Sequence, residues 1–101
     1  MTGISMGKRL SEIDVLGKVY QIIYVDLTQA DNDGSFHYDE ELIQIDQSLT
    51  GHALQQTLLH EIFHAVMHRS SLSQAVGPSL EEVLVDLLAT FLTDHWDFDL
   101  S

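Results

Sequence analysis

The sequence predicts an α+β domain in which a short antiparallel sheet precedes two helices. Three observations lead to this fold class. The first half of the 101 residues contains short segments of alternating or β-branched residues, the second half repeats its apolar residues with a helical period, and no repeat or linker-like stretch divides the chain. Because single domains usually hold about 50 to 250 residues, we expect one domain spanning residues 1–101.

Four short strands are predicted in the first half of the chain. Glu12–Leu16 alternates between apolar and polar residues and meets Gly17-Lys18, a hairpin-turn sequence. Val19–Asp26 is rich in β-branched and aromatic residues. Because both of its faces are mostly apolar, we expect this strand at the centre of the sheet. Phe36–Tyr38 and Leu42–Asp46 are expected to form the last two strands, around an acidic turn.

The loop before the third strand, Thr28–Ser35, consists mainly of turn-forming residues. Its stretch Asp31-Asn32-Asp33-Gly34 resembles the start of a calcium-binding loop. Leu42 stands where such a loop ends in a glutamate, so we interpret the stretch as an ordinary turn.

Two helices are predicted in the second half. Ser48 or Thr50 can cap a first helix that runs to about Arg69, and the connector Ser70–Pro78 separates it from a second helix. Ser79 opens that second helix, which runs to about His95. The apolar face of the first helix contains Leu58, Leu59, Ile62, Phe63, Ala65 and Val66, and the expected buried stripe of the second contains Leu80, Leu84, Leu87, Leu88 and Phe91.

Composition excludes several classes of function. With 16 acidic and 4 basic residues, the formal net charge is −12, which disfavours binding to nucleic acids or to anionic membranes. The absence of cysteine excludes disulfides, a thiol nucleophile and cysteine-ligated metals. No apolar run has the length of a membrane span, and no signal-peptide pattern is found, so we expect a cytoplasmic protein.

The motif with the clearest chemistry is His60-Glu61-Ile62-Phe63-His64, an HExxH sequence inside the first predicted helix. Side chains four residues apart lie one above the other on a helix, so both imidazoles can bind one metal ion. Glu61 is rotated by about 100° from His60, too far to join the ligands but near enough to reach a water on the metal. Zinc lowers the pKa of such a water, and Glu61 can then act as the general base.

A third ligand is predicted on the second helix. Catalytic zinc usually has three protein ligands, and Ser70 stands where an extended HExxHxxGxxH motif would place a third histidine. Glu82 and Asp86 lie one turn apart, so Glu82 can bind the metal while Asp86 orients a ligand histidine. Two alternatives remain open: Glu82 can close a capping box with Ser79, and Glu81 can be the ligand if the helix is rotated.

The combination of HExxH with a downstream ExxxD resembles the gluzincin metallopeptidases. The layout from Glu12 to Trp96 is similar to the small ImmA/IrrE-type and phage-encoded metallopeptidases, with a strand like Ile43–Asp46 before a helix like Thr57–Ala65. This resemblance implies a minimal zincin-like domain, with the third ligand on the second helix, that hydrolyses peptide bonds with Zn²⁺. Its ligands would be His60, His64 and Glu82, its base Glu61, and Asp86 would orient a ligand.

The resemblance also implies a peptide or protein substrate lying extended along the edge strand over the site, here Glu41–Asp46. Tyr38 and His37, at the preceding hairpin, are candidates for contacts with the substrate or with the developing oxyanion. His52 and His68 are further candidates, although an exposed position at the helix end is the simpler interpretation of His68.

Three functional hypotheses therefore follow from the sequence. The first is a zinc metallopeptidase, and the second is a zinc-binding interaction or regulatory module with little or no activity. The third, an amidase or deformylase, is weaker because peptide deformylases use a cysteine ligand that this chain lacks. Two imidazoles and a carboxylate also suit iron or manganese, so the choice of zinc rests on the motif. The sequence does not indicate an oligomeric state.

Overall fold

The computed structural model describes residues 9–95, and these form a four-stranded sheet followed by helices. The predicted α+β class is therefore confirmed. The ends of the predicted domain 1–101, and Trp96 at the end of the family resemblance, lie outside the described residues. Among residues 9–95, no helix combines the length and apolar character needed to cross a membrane.

The strands are β1 (Glu12–Val15), β2 (Lys18–Val25), β3 (Gly34–His37) and β4 (Leu42–Asp46). Their order in the sheet is β1-β2-β4-β3. The central position expected for the second strand is confirmed, since β2 lies between β1 and β4. The expectation of a purely antiparallel sheet is wrong, because β2 and β4 are parallel, whereas β1 pairs with β2 and β3 with β4 in antiparallel fashion.

The mixed sheet arises from the hairpin that β3 and β4 form after the loop. The chain leaves β2, passes a single 3₁₀ turn at Thr28–Ala30, and enters β3 on the outside of the sheet. The hairpin then returns β4 to the inside, alongside β2 and in the same direction. The β1–β2 turn lies one residue earlier than predicted, at Leu16-Gly17, where both residues have positive φ, as primed hairpin turns require.

One face of the sheet packs against the first helix, α1 (Gly51–Arg69). The helix begins after Thr50, one of the two predicted caps, although no side-chain capping bond forms. Four of the six predicted apolar-face residues of α1 are buried, and Phe63 and Val66 are partly buried. The core cluster contains Val15, Tyr20, Ile22, Ile43, Ile45, Leu54, Leu58, Ile62 and Ala65.

The connector between the long helices contains a short helix that was not predicted, α2 (Leu72–Val76). The last helix, α3 (Pro78–His95), begins one residue before the predicted cap Ser79. Proline is favoured at a first helical position because its missing N–H has no partner there in any case. Gly77, at φ 79°, makes the turn between α2 and α3.

The predicted buried stripe of α3 is wrong. Leu80, Leu87, Leu88 and Phe91 are each between 46% and 62% exposed, and Leu84 is only partly buried. The buried residues are Val85, Ala89 and Thr93, one turn apart, which face α1. The small side chains of Ala89 and Thr93 allow the two helices to approach closely. Gln56 of α1 also donates a hydrogen bond to Thr90 of α3 at 3.0 Å.

Candidate metal centre

The two histidines of the HExxH motif lie side by side on α1. The spacing of four residues places the imidazole of His64 one turn beyond that of His60, and the ring centroids are 4.9 Å apart. Both rings are mostly buried between α1 and α3. Two of the three predicted ligands are therefore positioned by the regular geometry of one helix.

Glu82 of α3 meets both histidines with its carboxylate. Its Oε1 lies 2.8 Å from Nε2 of His60, and its Oε2 lies 3.3 Å from Nε2 of His64. One ligand atom from each of the three residues lies within 4.8 Å of the other two, and no other group of this kind occurs within residues 9–95. Because both oxygens of Glu82 face the histidines, the capping-box alternative does not describe this side chain.

The other nitrogen of each imidazole faces a second acid. Nδ1 of His64 lies 2.6 Å from Oε2 of Glu81, and Nδ1 of His60 lies 3.7 Å from Oδ1 of Asp86. An acid at Nδ1 favours the tautomer that leaves Nε2 free to accept a metal. The donor set therefore fits a divalent ion held by the two Nε2 atoms and Glu82.

The contact between Glu81 and His64 is a finding that sequence reasoning missed. The sequence suggests Glu81 only as an alternative ligand. Instead it orients one imidazole, while Asp86 faces the other at a distance too long for a direct hydrogen bond. Consecutive residues on α3 thus serve different roles, because Glu81 faces the side of His64 that Glu82 does not reach.

The short helix α2 holds Glu81 in place through Ser73. The Ser73 hydroxyl donates a hydrogen bond to the Glu81 carboxylate. Burial alone would raise the pKa of Glu81, but the hydrogen bonds from Ser73 and His64 and the positive charge of His64 outweigh it and lower the pKa. Glu81 is therefore ionised at neutral pH and accepts the Nδ1–H of His64.

Glu61 lies next to the two histidines but has a different environment. The residue is only 6% exposed, and burial raises the pKa of its carboxyl to about 7. The charge of His64 opposes this shift, and that of Glu82 adds to it. Among residues 9–95, no hydrogen-bond donor satisfies its carboxylate. A buried carboxyl without a partner costs stability, and such groups are typical of functional sites.

The three metal-binding candidates and Glu61 open onto one cleft of about 620 Å³. Its floor is α1, from Ala53 to His64, and one wall is Glu82 and Asp86 of α3. The opposite wall consists of residues at the beginning of β3, namely Asn32, Asp33, Gly34 and Phe36. This wall was not expected from the sequence, because the loop composition of residues 28–35 does not indicate which helix the loop covers.

The strand at this wall, β3, is an edge of the sheet, whereas β4 is paired on both sides. The assignment of residues 41–46 as the edge strand is therefore wrong. The N–H of Asp46 donates to the carbonyl of Asp33 at 2.8 Å. In an antiparallel pair, every second residue forms main-chain hydrogen bonds with the neighbouring strand. Asp33 is such a residue, so the main-chain N–H and C=O groups of Gly34 and Phe36 point away from β4, towards the open edge of the sheet.

The candidates for oxyanion or substrate contacts do not line this cleft. Tyr38 packs on His68, with ring centroids 4.5 Å apart, at a separate cavity beyond the end of α1. His37 lies 2.9 Å from the Ser35 hydroxyl through Nε2, and among residues 9–95 it does not border the cleft. His52 pairs with Asp94 of α3 at 3.3 Å. The sequence-based suggestion for Tyr38 and His37 is not supported by these positions.

Gly34 allows β3 to pack closely over Glu61. A Cβ atom at this position would lie 3.0 Å from Cγ2 of Thr57, 3.2 Å from Cγ of Glu61 and 3.2 Å from the carbonyl oxygen of Gln44. We therefore expect Gly34→Ala to destabilise the protein by about 1–3 kcal/mol, as overpacked sites usually do. Urea unfolding measures this, and an unchanged midpoint would contradict the close contact.

The ionisation of Glu61 gives the metal-free protein a pH-dependent stability. When unfolded, the carboxyl titrates near 4.5, whereas in the fold it keeps its proton up to about pH 7. Between these two pH values the folded state binds more protons than the unfolded state, so the free energy of unfolding falls as the pH rises. We expect the free energy of unfolding of chelator-treated Glu61→Gln to exceed that of chelator-treated wild type by about 2–3 kcal/mol near pH 8 and to equal it near pH 4. A difference independent of pH in urea unfolding would contradict this.

Comparisons with models of known protein families, with curated proteins and with solved structures gave no match. The functional argument therefore rests on the residues of the cleft alone.

Proposed function

We propose that the protein is a zinc-dependent metallopeptidase that hydrolyses peptide bonds in the cleft between β3 and α3. The observation that carries this proposal is the position of Glu61. A buried carboxyl without a hydrogen bond, with a pKa near 7, borders the same cleft as a His-His-Glu group that could bind a metal. A purely structural metal site has no use for such a base, whereas hydrolysis requires one.

His60, His64 and Glu82 would hold the ion, with Glu81 orienting the imidazole of His64 and Asp86 facing that of His60 at 3.7 Å. When bound, zinc supplies a Lewis acid that lowers the pKa of water and polarises the substrate carbonyl. Glu61 takes the proton of the attacking water and delivers it to the nitrogen of the leaving amine. In the metal-free protein, burial already raises the pKa of Glu61 to about 7, which is the range in which a general base operates at neutral pH.

The open edge of β3 would hold the substrate. The outward N–H and C=O groups of Gly34 and Phe36 can pair with an extended peptide, which adds a strand to the sheet and crosses the cleft above Glu61. Main-chain pairing of this kind gives affinity with little dependence on sequence. The substrate would thus be an unfolded segment of a protein or a peptide.

Hydrolysis of an unfolded protein substrate by the zinc-reconstituted protein tests the proposal. We expect cleavage that stops when a chelator removes the metal and returns when zinc is restored. Iron and manganese, added to the metal-free protein in parallel, identify the preferred ion. Cleavage that survives complete metal removal, or no cleavage at full zinc occupancy, would contradict the proposed function.

A further inference from the structure

A second cavity, of about 430 Å³, opens beyond the C-terminal end of α1, where Tyr38 packs on His68. We call it the α1-end cavity. It shares no lining residue with the metal cleft, so what it binds does not depend on the proposed peptidase function. Sites for small molecules usually have volumes of about 300–1,000 Å³ and combine apolar walls with a few polar groups. The size of this cavity lies in that range.

The hydroxyl of Tyr20 is a buried polar group without a partner in the fold. The residue is 1% exposed and borders the α1-end cavity. Its ring packs in the apolar core, 5.6 Å from the ring of Phe36 between centroids, and the hydroxyl is the only polar group of the side chain. Among residues 9–95, no group forms a hydrogen bond with this hydroxyl. Because buried tyrosine hydroxyls usually have a partner, we infer that a ligand in the cavity supplies it.

The guanidinium of Arg69 borders the same cavity and has no acidic partner among residues 9–95. Its Nε and Nη2 atoms donate to the carbonyls of Val15 and Leu16 at 3.4 and 2.9 Å, which fixes the group at the turn between β1 and β2. A guanidinium has five N–H donors, so some remain for a ligand. Lys18, the other basic residue of the cavity, is instead neutralised by Glu41 at 2.7 Å.

A carboxylate matches these two groups in charge and shape. The planar fork of an arginine binds a carboxylate through two parallel N–H bonds, and a tyrosine hydroxyl can donate a further one. A phosphate fits less well because it carries nearly two negative charges, and the acids Asp39 and Glu41 also border the cavity. The ring of Tyr38, which is 53% exposed, offers an apolar wall for the rest of the molecule.

We propose that the α1-end cavity binds a small organic acid. The carboxylate pairs with the guanidinium of Arg69 and accepts a hydrogen bond from the hydroxyl of Tyr20, and the organic part lies against Tyr38. The ligand thus supplies the partner that the fold does not give to the buried hydroxyl. Binding should therefore depend on this hydroxyl, whereas the stability of the fold should not.

Titration of the isotope-labelled protein with phenylacetate, followed by NMR, tests the proposal. We expect saturable shifts with a dissociation constant of about 1–10 mM, and the side-chain Nε–H signal of Arg69 should be among those that move. Arg9, the only other arginine, is the internal control, because its guanidinium donates to the carbonyls of Gln47 and Leu49 and does not border the cavity. Phenylacetamide, which has the same ring without the charge, should bind about tenfold more weakly or less. Phenyl phosphate should also bind more weakly than phenylacetate.

Tyr20→Phe removes only the hydroxyl and should weaken the binding of phenylacetate by about tenfold. Because this hydroxyl has no partner among residues 9–95, urea unfolding should show no loss of stability. Tyr24→Phe is the matched control on the same strand, since the hydroxyl of Tyr24 donates to the carbonyl of Leu10 at 2.7 Å and does not border the cavity. This control should keep the affinity for phenylacetate but lower the free energy of unfolding.

Several results would overturn the proposal. These are the absence of saturable binding, equal binding of phenylacetate and phenylacetamide, and unchanged affinity in Tyr20→Phe. Equal shifts of the Arg9 and Arg69 signals would show that the anion associates with any arginine rather than with the cavity. Tighter binding of phenyl phosphate than of phenylacetate would contradict the assignment to a carboxylate.

Discussion

Zinc-loaded Glu61→Gln is expected to keep its fold and its metal but to lose hydrolysis by on the order of 10²–10⁴-fold. Glutamine preserves the shape of the side chain that packs against Gly34, yet it cannot accept the proton of the attacking water. Cleavage of an unfolded protein substrate, measured at equal zinc content for wild type and variant, gives the ratio. Glu40→Gln is a suitable control, because Glu40 is exposed in the turn between β3 and β4 and lies outside the cleft.

Equal rates for wild type and Glu61→Gln would contradict a role of this residue as the base. Slow cleavage that is the same in both would indicate a contaminating protease. The hypothesis of a zinc-binding interaction or regulatory module would then be preferred, since such a module needs the ligands but not the base.

Replacing the three acids of α3 is expected to weaken zinc binding to different extents. Glu82→Ala removes a ligand and should cause the largest loss of affinity. Glu81→Ala and Asp86→Ala leave the ligands in place but remove the acids that face Nδ1 of His64 and of His60, and losing a partner that orients a ligand typically costs about 10–100-fold. Because Glu81 contacts Nδ1 of His64 at 2.6 Å and Asp86 lies 3.7 Å from His60, we expect the loss to be larger for Glu81→Ala.

Competition with a zinc chelator of known affinity measures these losses. Asp94→Ala provides the control on the same helix, because Asp94 pairs with His52 away from the metal centre. A loss in Glu81→Ala that equals or exceeds that in Glu82→Ala would identify Glu81 as the third ligand. Unchanged affinity in Glu81→Ala would show that its contact with His64 does not support the metal.

Local patterns in the sequence were sufficient to predict the helix that carries the motif and the strand at the centre of the sheet. The spacing of His60 and His64 places both side chains on one face of any α-helix, whatever surrounds it. The mostly apolar sequence of β2 predicted a central position in the sheet, which the strand has, although only its Tyr20 and Ile22 face is buried and Val19 and Ile23 remain exposed. These inferences need only the geometry of one element, and the structure agrees with them.

The remaining differences concern how elements pack against one another. The large apolar residues of α3 form the more prominent periodic pattern, but the smaller Val85, Ala89 and Thr93 allow the close approach to α1 that brings Glu82 to the histidines. The role of Glu81 depends on Ser73, in a short helix that has no clear sequence signal. The parallel pairing of β2 and β4 likewise depends on where the hairpin docks, which alternation of residues does not determine.

The zinc content of the purified protein and of three single variants tests the central claim most directly. We expect about one zinc per chain in the wild type, and its loss in His60→Ala and in His64→Ala, because the two imidazoles supply two of three protein ligands. His52→Ala should retain the metal, since this histidine pairs with Asp94 instead. Zinc content that is unchanged in both His60→Ala and His64→Ala would contradict the metal centre and the function proposed from it.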